Sequence, residues 1–196
     1  MKFEKINKLR YNKRELWESE RMKFLKDNTI VDIMEASVED AEELLELYEL
    51  VKNETSFLIM DDSDADFNLE KEIEYLKKCN ESVTSKVFVA KIDGRIVGDC
   101  WLTGHMSDKT KHNVCLGVAV LKEYWHKGLG RLLIEHTINY ARITTEIKNI
   151  YLEVRKDNEF AIKLYESLGF IKTGDMPDKI FIDGKYIDEQ IFVLKI

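Results

Sequence analysis

The 196-residue sequence predicts a mixed α/β fold of the α+β kind, with a mostly antiparallel central sheet flanked by helices. Three observations carry that expectation. Apolar spacing switches repeatedly between a period of two and the spacing of a helix face. Asp93-Gly94 and Asp183-Gly184 each join two β-type runs, a strong hairpin signal. Gly117 to Leu133, GVAVLKEYWHKGLGRLL, reads as a strand, a glycine-bearing loop and the start of a helix.

Taken in order, residues 1–29 predict a helical extension, one amphipathic helix over Lys13 to Lys26 carrying Leu16, Trp17, Phe24 and Leu25. Residues 30–196 form the main domain. Ile30 to Ala36 alternates as a first strand, and Ser37 with Asp40 makes a weak capping pattern for a helix using Ala41, Leu44, Leu45, Tyr48 and Val51. The acid-rich residues 53–66 suit a loop near an open end of the sheet, and Phe67 to Cys79 returns to helical spacing. Val87–Ile92 and Ile96–Thr103 make the first hairpin, and Val114–Val120 the central strand. A helix then runs to about Arg142, followed by a strand over Asn149–Val154 and a helix over Asn158–Leu168. Gly169 suits a left-handed cap ahead of a strand from Phe170, and Lys179 to Ile196 closes as a hairpin.

Composition excludes several classes. No run approaches the ~18 apolar residues of a membrane span. The basic N-terminus lacks the apolar segment of a signal peptide, which points to a cytoplasmic protein. Cys79, Cys100 and Cys115 are widely spaced with no CxxC or paired histidine, so buried reduced thiols are expected and no metal site. Residues 1–29 carry nine Lys/Arg against five acids (+4) and residues 30–80 carry four against sixteen (−12), leaving +1 of the net −7 elsewhere. That balance argues against nucleic acid as a partner. The acidic segment is either a solvated pair of helices or an attractor for a cationic substrate such as an amine.

The loop entering the helix at Leu129 leaves backbone N–H groups at the positive end of a helix dipole, a seat for phosphate or pyrophosphate. Read alone, its glycines could equally serve only the turn. In Asn158-x-x-Ala161-x-x-Leu164-Tyr165-x-x-Leu168-Gly169-Phe170, Asn158 caps a helix whose Ala161, Leu164, Tyr165 and Leu168 share one side. A tyrosine at such a position is ordinarily core.

Together, Gly128-Leu129-Gly130 and LEVRKDNEFAIKLYESLGF over 152–170 resemble the GNAT family of acetyl-CoA-dependent N-acetyltransferases. The second run is especially like enzymes that acetylate the N-terminal alanine of a ribosomal protein. The resemblance spans Ile30 to the C-terminus and implies a GNAT-like sheet, acetyl-CoA as cosubstrate, no metal and direct transfer to an amine. It implies that Val118, Ala119 and Val120 splay from their neighbour and pair with the pantetheine arm. Amides of His126, Lys127, Gly128, Leu129, Gly130 and Arg131 would hold the pyrophosphate. Asn158 would touch the pantetheine, Ala161 would leave room for it, and Tyr165 would be the general acid towards the leaving thiolate.

A free amine is mostly protonated at neutral pH, so a base, or one acting through water, is needed. Glu153 is the first candidate, sharing a strand face with Tyr151 opposite Ile150, Leu152 and Val154. Its structural alternative is an ion pair with Arg155 or Lys156. Two departures from the family pattern stand out: Trp125 where Gln or Arg is common, and no acid over Asn113–Val120. The base could therefore also be a residue of the acidic segment, bulk water, or His105 or His112. Cys115 on its strand reads as a small buried residue rather than a nucleophile.

The acceptor is either a small amine (polyamine, amino acid or amino sugar), favoured by the acidic segment and by the run DGKYIDEQIFVL, or a protein N-terminus, favoured by residues 152–170. A non-catalytic acyl-CoA sensor is a rival of another class, and a structural partner protein a third. Apolar residues on the N-terminal helix and the C-terminal strand would support a homodimer.

Overall fold

The structure is a computed structural model that describes residues 21–58, 68–104, 107–144 and 146–196. Eight strands form one sheet: β1 (Met22–Phe24), β2 (Ile30–Glu35), β3 (Lys86–Ile92), β4 (Arg95–Gly104), β5 (Asn113–Val120), β6 (Asn149–Arg155), β7 (Ile171–Ile182) and β8 (Lys185–Lys195). Their order is β1-β2-β3-β4-β5-β6-β8-β7. Every neighbouring pair is antiparallel except β5 and β6. The helices are α1 (Ala41–Glu54), α2 (Leu69–Glu81), α3 (Leu129–Ile143) and α4 (Glu159–Ser167). The α+β expectation is borne out.

Local chemistry explains the boundaries. The Asp40 carboxylate accepts from the Ser37 N–H at 2.8 Å, one half of the expected capping pattern. Asn68 accepts from the Lys71 N–H at 3.0 Å and starts α2. Asn158 accepts from the Ala161 N–H at 3.2 Å and starts α4. Asp93-Gly94 and Asp183-Gly184 have positive φ at both residues, the geometry of tight hairpin turns.

α1 and α2 lie on one face of the sheet, where the Tyr48 hydroxyl donates to Asp99 and the Lys91 ammonium pairs with Asp40. α3 lies on the other, with Phe88 edge-on to His136 at 5.2 Å and tilted against Tyr140 at 5.4 Å. The core runs through both layers, with Ile33, Leu44, Leu76, Phe88, Leu133 and Ile150 fully buried.

One element differs from expectation. The helix expected over Lys13–Lys26 is not continued in its described part: Met22–Phe24 is an edge strand paired with Ile30–Asp32. Met22 and Phe24 point outward, 70% and 65% exposed, so the alternation of a short edge strand wins over helical spacing in this stretch. Residues 1–20, with the rest of that helix, lie outside the described residues. The turn after β1 is joined to the domain: the Lys26 N–H donates to the Lys127 carbonyl and the Lys26 ammonium to the His126 carbonyl, both at 3.0 Å. The thiol expectation also needs a correction. Cys79 and Cys100 are buried, whereas Cys115, in the last β5–β6 pair before the strands part, is only half-buried.

Candidate active site

β5 and β6 stay together only over Asn113–Cys115 against Asn149–Tyr151. Beyond that point β5 remains paired with β4 up to Val120, and β6 with β8 up to Arg155, so a wedge opens between parallel neighbours. Val118, Ala119 and Val120 line one edge of this wedge. The Val120 carbonyl is already taken: the Trp125 indole N–H donates to it at 2.8 Å. Trp125 thus ties the loop back onto the end of β5, a role the sequence alone did not reveal.

The loop at the mouth has the geometry of an anion seat. Gly128, at φ 98, sits left-handed at the start of α3, a conformation that a Cβ would strain. Among the described residues, the amides of His126, Lys127, Gly128, Leu129, Gly130 and Arg131 donate to no protein acceptor outside the helix. The first α3 amide with such a partner is Leu132, bonded to the Gly128 carbonyl at 3.1 Å. A row of unpaired N–H groups at a helix N-terminus, beside Lys127 and Arg131, suits a diphosphate. The Leu129 side chain is fully buried, leaving only its backbone for a ligand.

Across the wedge, α4 supplies the remaining predicted groups. Asn158 spends its side-chain oxygen on capping α4, leaving its amide nitrogen for a ligand. Ala161 is half-buried. Phe160 of α4 is 73% exposed and meets the His126 ring edge-on at 4.7 Å, bridging the two walls. Tyr165 is buried against Phe170, with ring centroids 5.9 Å apart. Burial pushes its phenol well above the usual tyrosine value, so it carries its proton throughout the physiological range. Among the described residues its hydroxyl meets no hydrogen-bond partner.

The opposite face of the sheet borders the wedge and forms its groove side. Strand register puts Trp101, Gly117, Cys115, Tyr151, Glu153 and Glu189 on one face. The Trp101 ring lies so close over Gly117 that any Cβ there would collide with it. Glu153 is exposed, one step past the last β5–β6 pair, and its face is as the alternation predicted. Neither suggested ion pair forms. Arg155 forks onto Asp157 at 2.7 and 3.0 Å and onto Ser56, while Lys156 pairs with Asp188 at 3.0 Å. Phe57 lies against the Arg155 guanidinium at 4.8 Å, which brings the start of the acid-rich stretch to β6; residues 59–66 of that stretch lie outside the described residues. Burial, and next the Glu153 charge, pushes the Cys115 thiol up, so it is not poised as a thiolate. His112 lies at the closed end of the wedge beside Asn113, while His105 lies outside the described residues.

Two acids that sequence reading missed are buried. Asp99 of β4 is 0% exposed and accepts from the Tyr48 hydroxyl at 2.8 Å, and among the described residues its Oδ1 has no side-chain partner. Glu72 of α2, within the acidic segment, is also buried with Oε1 unpartnered. Burial pushes each carboxyl up to about 7. Both lie beneath the helices rather than on the groove, and only their place in strand and helix reveals them.

The Acetyltransferase (GNAT) family model matches residues 41–170. The chain belongs to the GNAT family. It is 32% identical over 79 residues to spermidine N(1)-acetyltransferase of Vibrio cholerae, covering 40% of this chain and 46% of that protein. It is 47% identical over 53 residues to the ribosomal protein bS18 alanine N-acetyltransferase of Salmonella typhimurium, covering 27% and 35%. The chain thus spans less than half the length of either relative. Among solved structures, a GNAT-family acetyltransferase from Streptococcus pneumoniae superposes with a TM-score of 0.82 at 29% identity, covering 85% of this chain and 99% of that one. A putative acetyltransferase from Salmonella typhimurium, solved with acetyl-CoA, shares the fold with a TM-score of 0.73 at 22% identity, covering 84% and 93%. No helix among the described residues is long and apolar enough to cross a membrane.

Proposed function

We propose that the protein is an N-acetyltransferase that moves an acetyl group from acetyl-CoA to a primary amine of a small molecule by direct transfer. The observation that carries the reading is the wedge between β5 and β6, which ends at a row of unpaired loop amides. Amides of residues 126–131 hold the pyrophosphate, the free edge of β5 around Val118 and Ala119 takes the pantetheine, and Asn158 and Ala161 line its path. When bound, acetyl-CoA supplies an acyl C–S bond that is exchanged for an acyl C–N bond.

The protein's own task is to place two protons. Glu153, on the groove side, takes the proton that the acceptor ammonium must lose before its nitrogen can attack. Tyr165, on the far wall, keeps a phenol proton for the departing sulfur and is recharged from solvent. Holding both partners together on one framework makes the transfer effectively unimolecular. No acyl-enzyme is needed, and the raised thiol of Cys115 is consistent with that.

A protein N-terminus is the second reading, favoured by the 47% identity to the ribosomal-protein enzyme over 53 residues. A non-catalytic acyl-CoA sensor would need neither Tyr165 nor Glu153. Calorimetric titration with acetyl-CoA, with and without Gly128→Asp, tests the cofactor assignment. Mass spectrometry of products from small amines and from ribosomal-protein N-terminal peptides then separates the readings. Binding without turnover on either panel would favour the sensor, and absence of acetyl-CoA binding would overturn the proposal.

A further inference from the structure

Glu189 of β8 is 3% exposed, yet among the described residues its Oε2 has no hydrogen-bond partner. It sits directly opposite Arg155 in the β6–β8 register, one step along from Glu153 and on the same face. An arginine in that position would normally neutralise it. Here the guanidinium turns away to Asp157 and Ser56 instead. Lys179 lies near enough to draw the Glu189 carboxyl down, but no ion pair between them forms. Burial raises Glu189, and the nearby Glu153 charge raises it further. Two acids thus share one face beside the wedge, and among the described residues neither is ion-paired to a cation. A buried carboxylate of that kind is costly unless something positive completes it.

We propose that Glu189, acting with Glu153, is the acceptor-recognising carboxylate of the groove, and that the pair selects an amine carrying a second positive charge. This rests on the acetyltransferase reading above and goes further, naming a residue and a substrate class. Glu153 faces the reacting ammonium, and Glu189 behind it keeps the local charge negative enough to hold a dication rather than a monoamine. Trp101 and Tyr151 on the same face give the methylene chain between the two charges an apolar floor.

The test compares 1,4-diaminobutane with n-butylamine as acceptors for the wild type and for Glu189→Gln, with acetyl-CoA present throughout. The wild type should favour the diamine in kcat/KM by about tenfold or more, the worth of one charge-assisted contact. Glu189→Gln should lose most of that preference, chiefly through KM for the diamine, and the pH profile of kcat/KM should move as the paired carboxyl disappears. Glu189→Asp should restore part of both. Equal losses on the two amines, or an unchanged pH profile, would assign Glu189 a merely structural role and overturn the proposal. If Glu189→Gln does not fold, the wild type decides alone, and no preference for the diamine refutes the inference. Acetyl-CoA binding without turnover of either amine also refutes it while leaving the cofactor reading intact, whereas no acetyl-CoA binding brings down both.

Discussion

Replacing Asp99 by asparagine should stabilise the protein, and increasingly so as pH rises. The carboxyl is fully buried on β4 and accepts from the Tyr48 hydroxyl at 2.8 Å, and among the described residues its second oxygen has no side-chain partner. Its folded value of about 7 lies above the ordinary 3.8, so the folded state binds the proton more tightly than the unfolded one. Stability is therefore full below the unfolded value and lost as pH climbs from about 4 towards 7. At 1.36 kcal/mol per unit, the interval from 3.8 to about 7 corresponds to about 4 kcal/mol. Glu72 rises to about 7 from 4.5 beside it, so the two titrate as a pair and their penalties do not add. Asparagine keeps an oxygen for Tyr48 and carries no charge. Urea unfolding of both proteins at pH 4.5 and pH 8 reads the effect, and titrating groups not coupled to Asp99 cancel in the difference. The advantage of Asp99→Asn should grow by about 3 kcal/mol between the two pH values. Growth of less than about 1 kcal/mol, or a reversed sign, would mean that the ionised carboxylate is compensated and that the reasoning fails.

Gly128→Asp should abolish acetyl-CoA binding in calorimetry, because it puts a side chain on a left-handed residue and a negative charge at the anion seat. Tyr165→Phe should leave acetyl-CoA affinity near wild type while lowering kcat by ~10²-fold or more, measured by steady-state assay on the best amine. Cys115→Ala should retain turnover, and an acetyl thioester trapped on Cys115 by mass spectrometry would contradict direct transfer. Gly117→Ala should cost about 1–3 kcal/mol in thermal or urea unfolding by driving Trp101 off the strand.

Much of the framework was legible because local chemistry and tertiary need agree there. Asn158 caps α4, Gly169 follows it at φ 92, and both Asp-Gly turns close hairpins. The glycine loop could be read because an anion seat needs backbone alone, which leaves its mark in residue type and spacing. The acids were harder. Asp99 sits in IVGDCWL as one charged residue among apolar ones, and alternation cannot say that Tyr48, 51 residues away, will reach it. Glu189 reads as one charge in DEQ until pairing with β6 sets it beside Glu153. Trp125 departs from the family pattern, and only the fold reveals that its indole donates to the Val120 carbonyl. The edge strand at Met22–Phe24 was missed because three residues are too few for periodicity to outweigh neighbouring helical spacing.

The wedge itself follows from a topological constraint. β5 and β6 are the sheet's one parallel pair, joined by a crossover through α3. Each has a longer antiparallel partner on its other side, β4 for β5 and β8 for β6. As each strand follows that partner, twist separates the two beyond Cys115 and Tyr151. The unpaired edges would be a liability on an ordinary sheet, yet here they open at the N-terminus of the crossover helix, where unpaired amides collect. Both sets of unsatisfied groups arise at one place from one connection. A ligand with an amide-bearing arm and a diphosphate at its end satisfies both together, whereas an anion alone would leave the strand edges bare. Binding of acetyl-CoA should therefore greatly exceed binding of ADP, which carries only the diphosphate end. Competition calorimetry checks this, and equal affinities would show that the β5 edge takes no part.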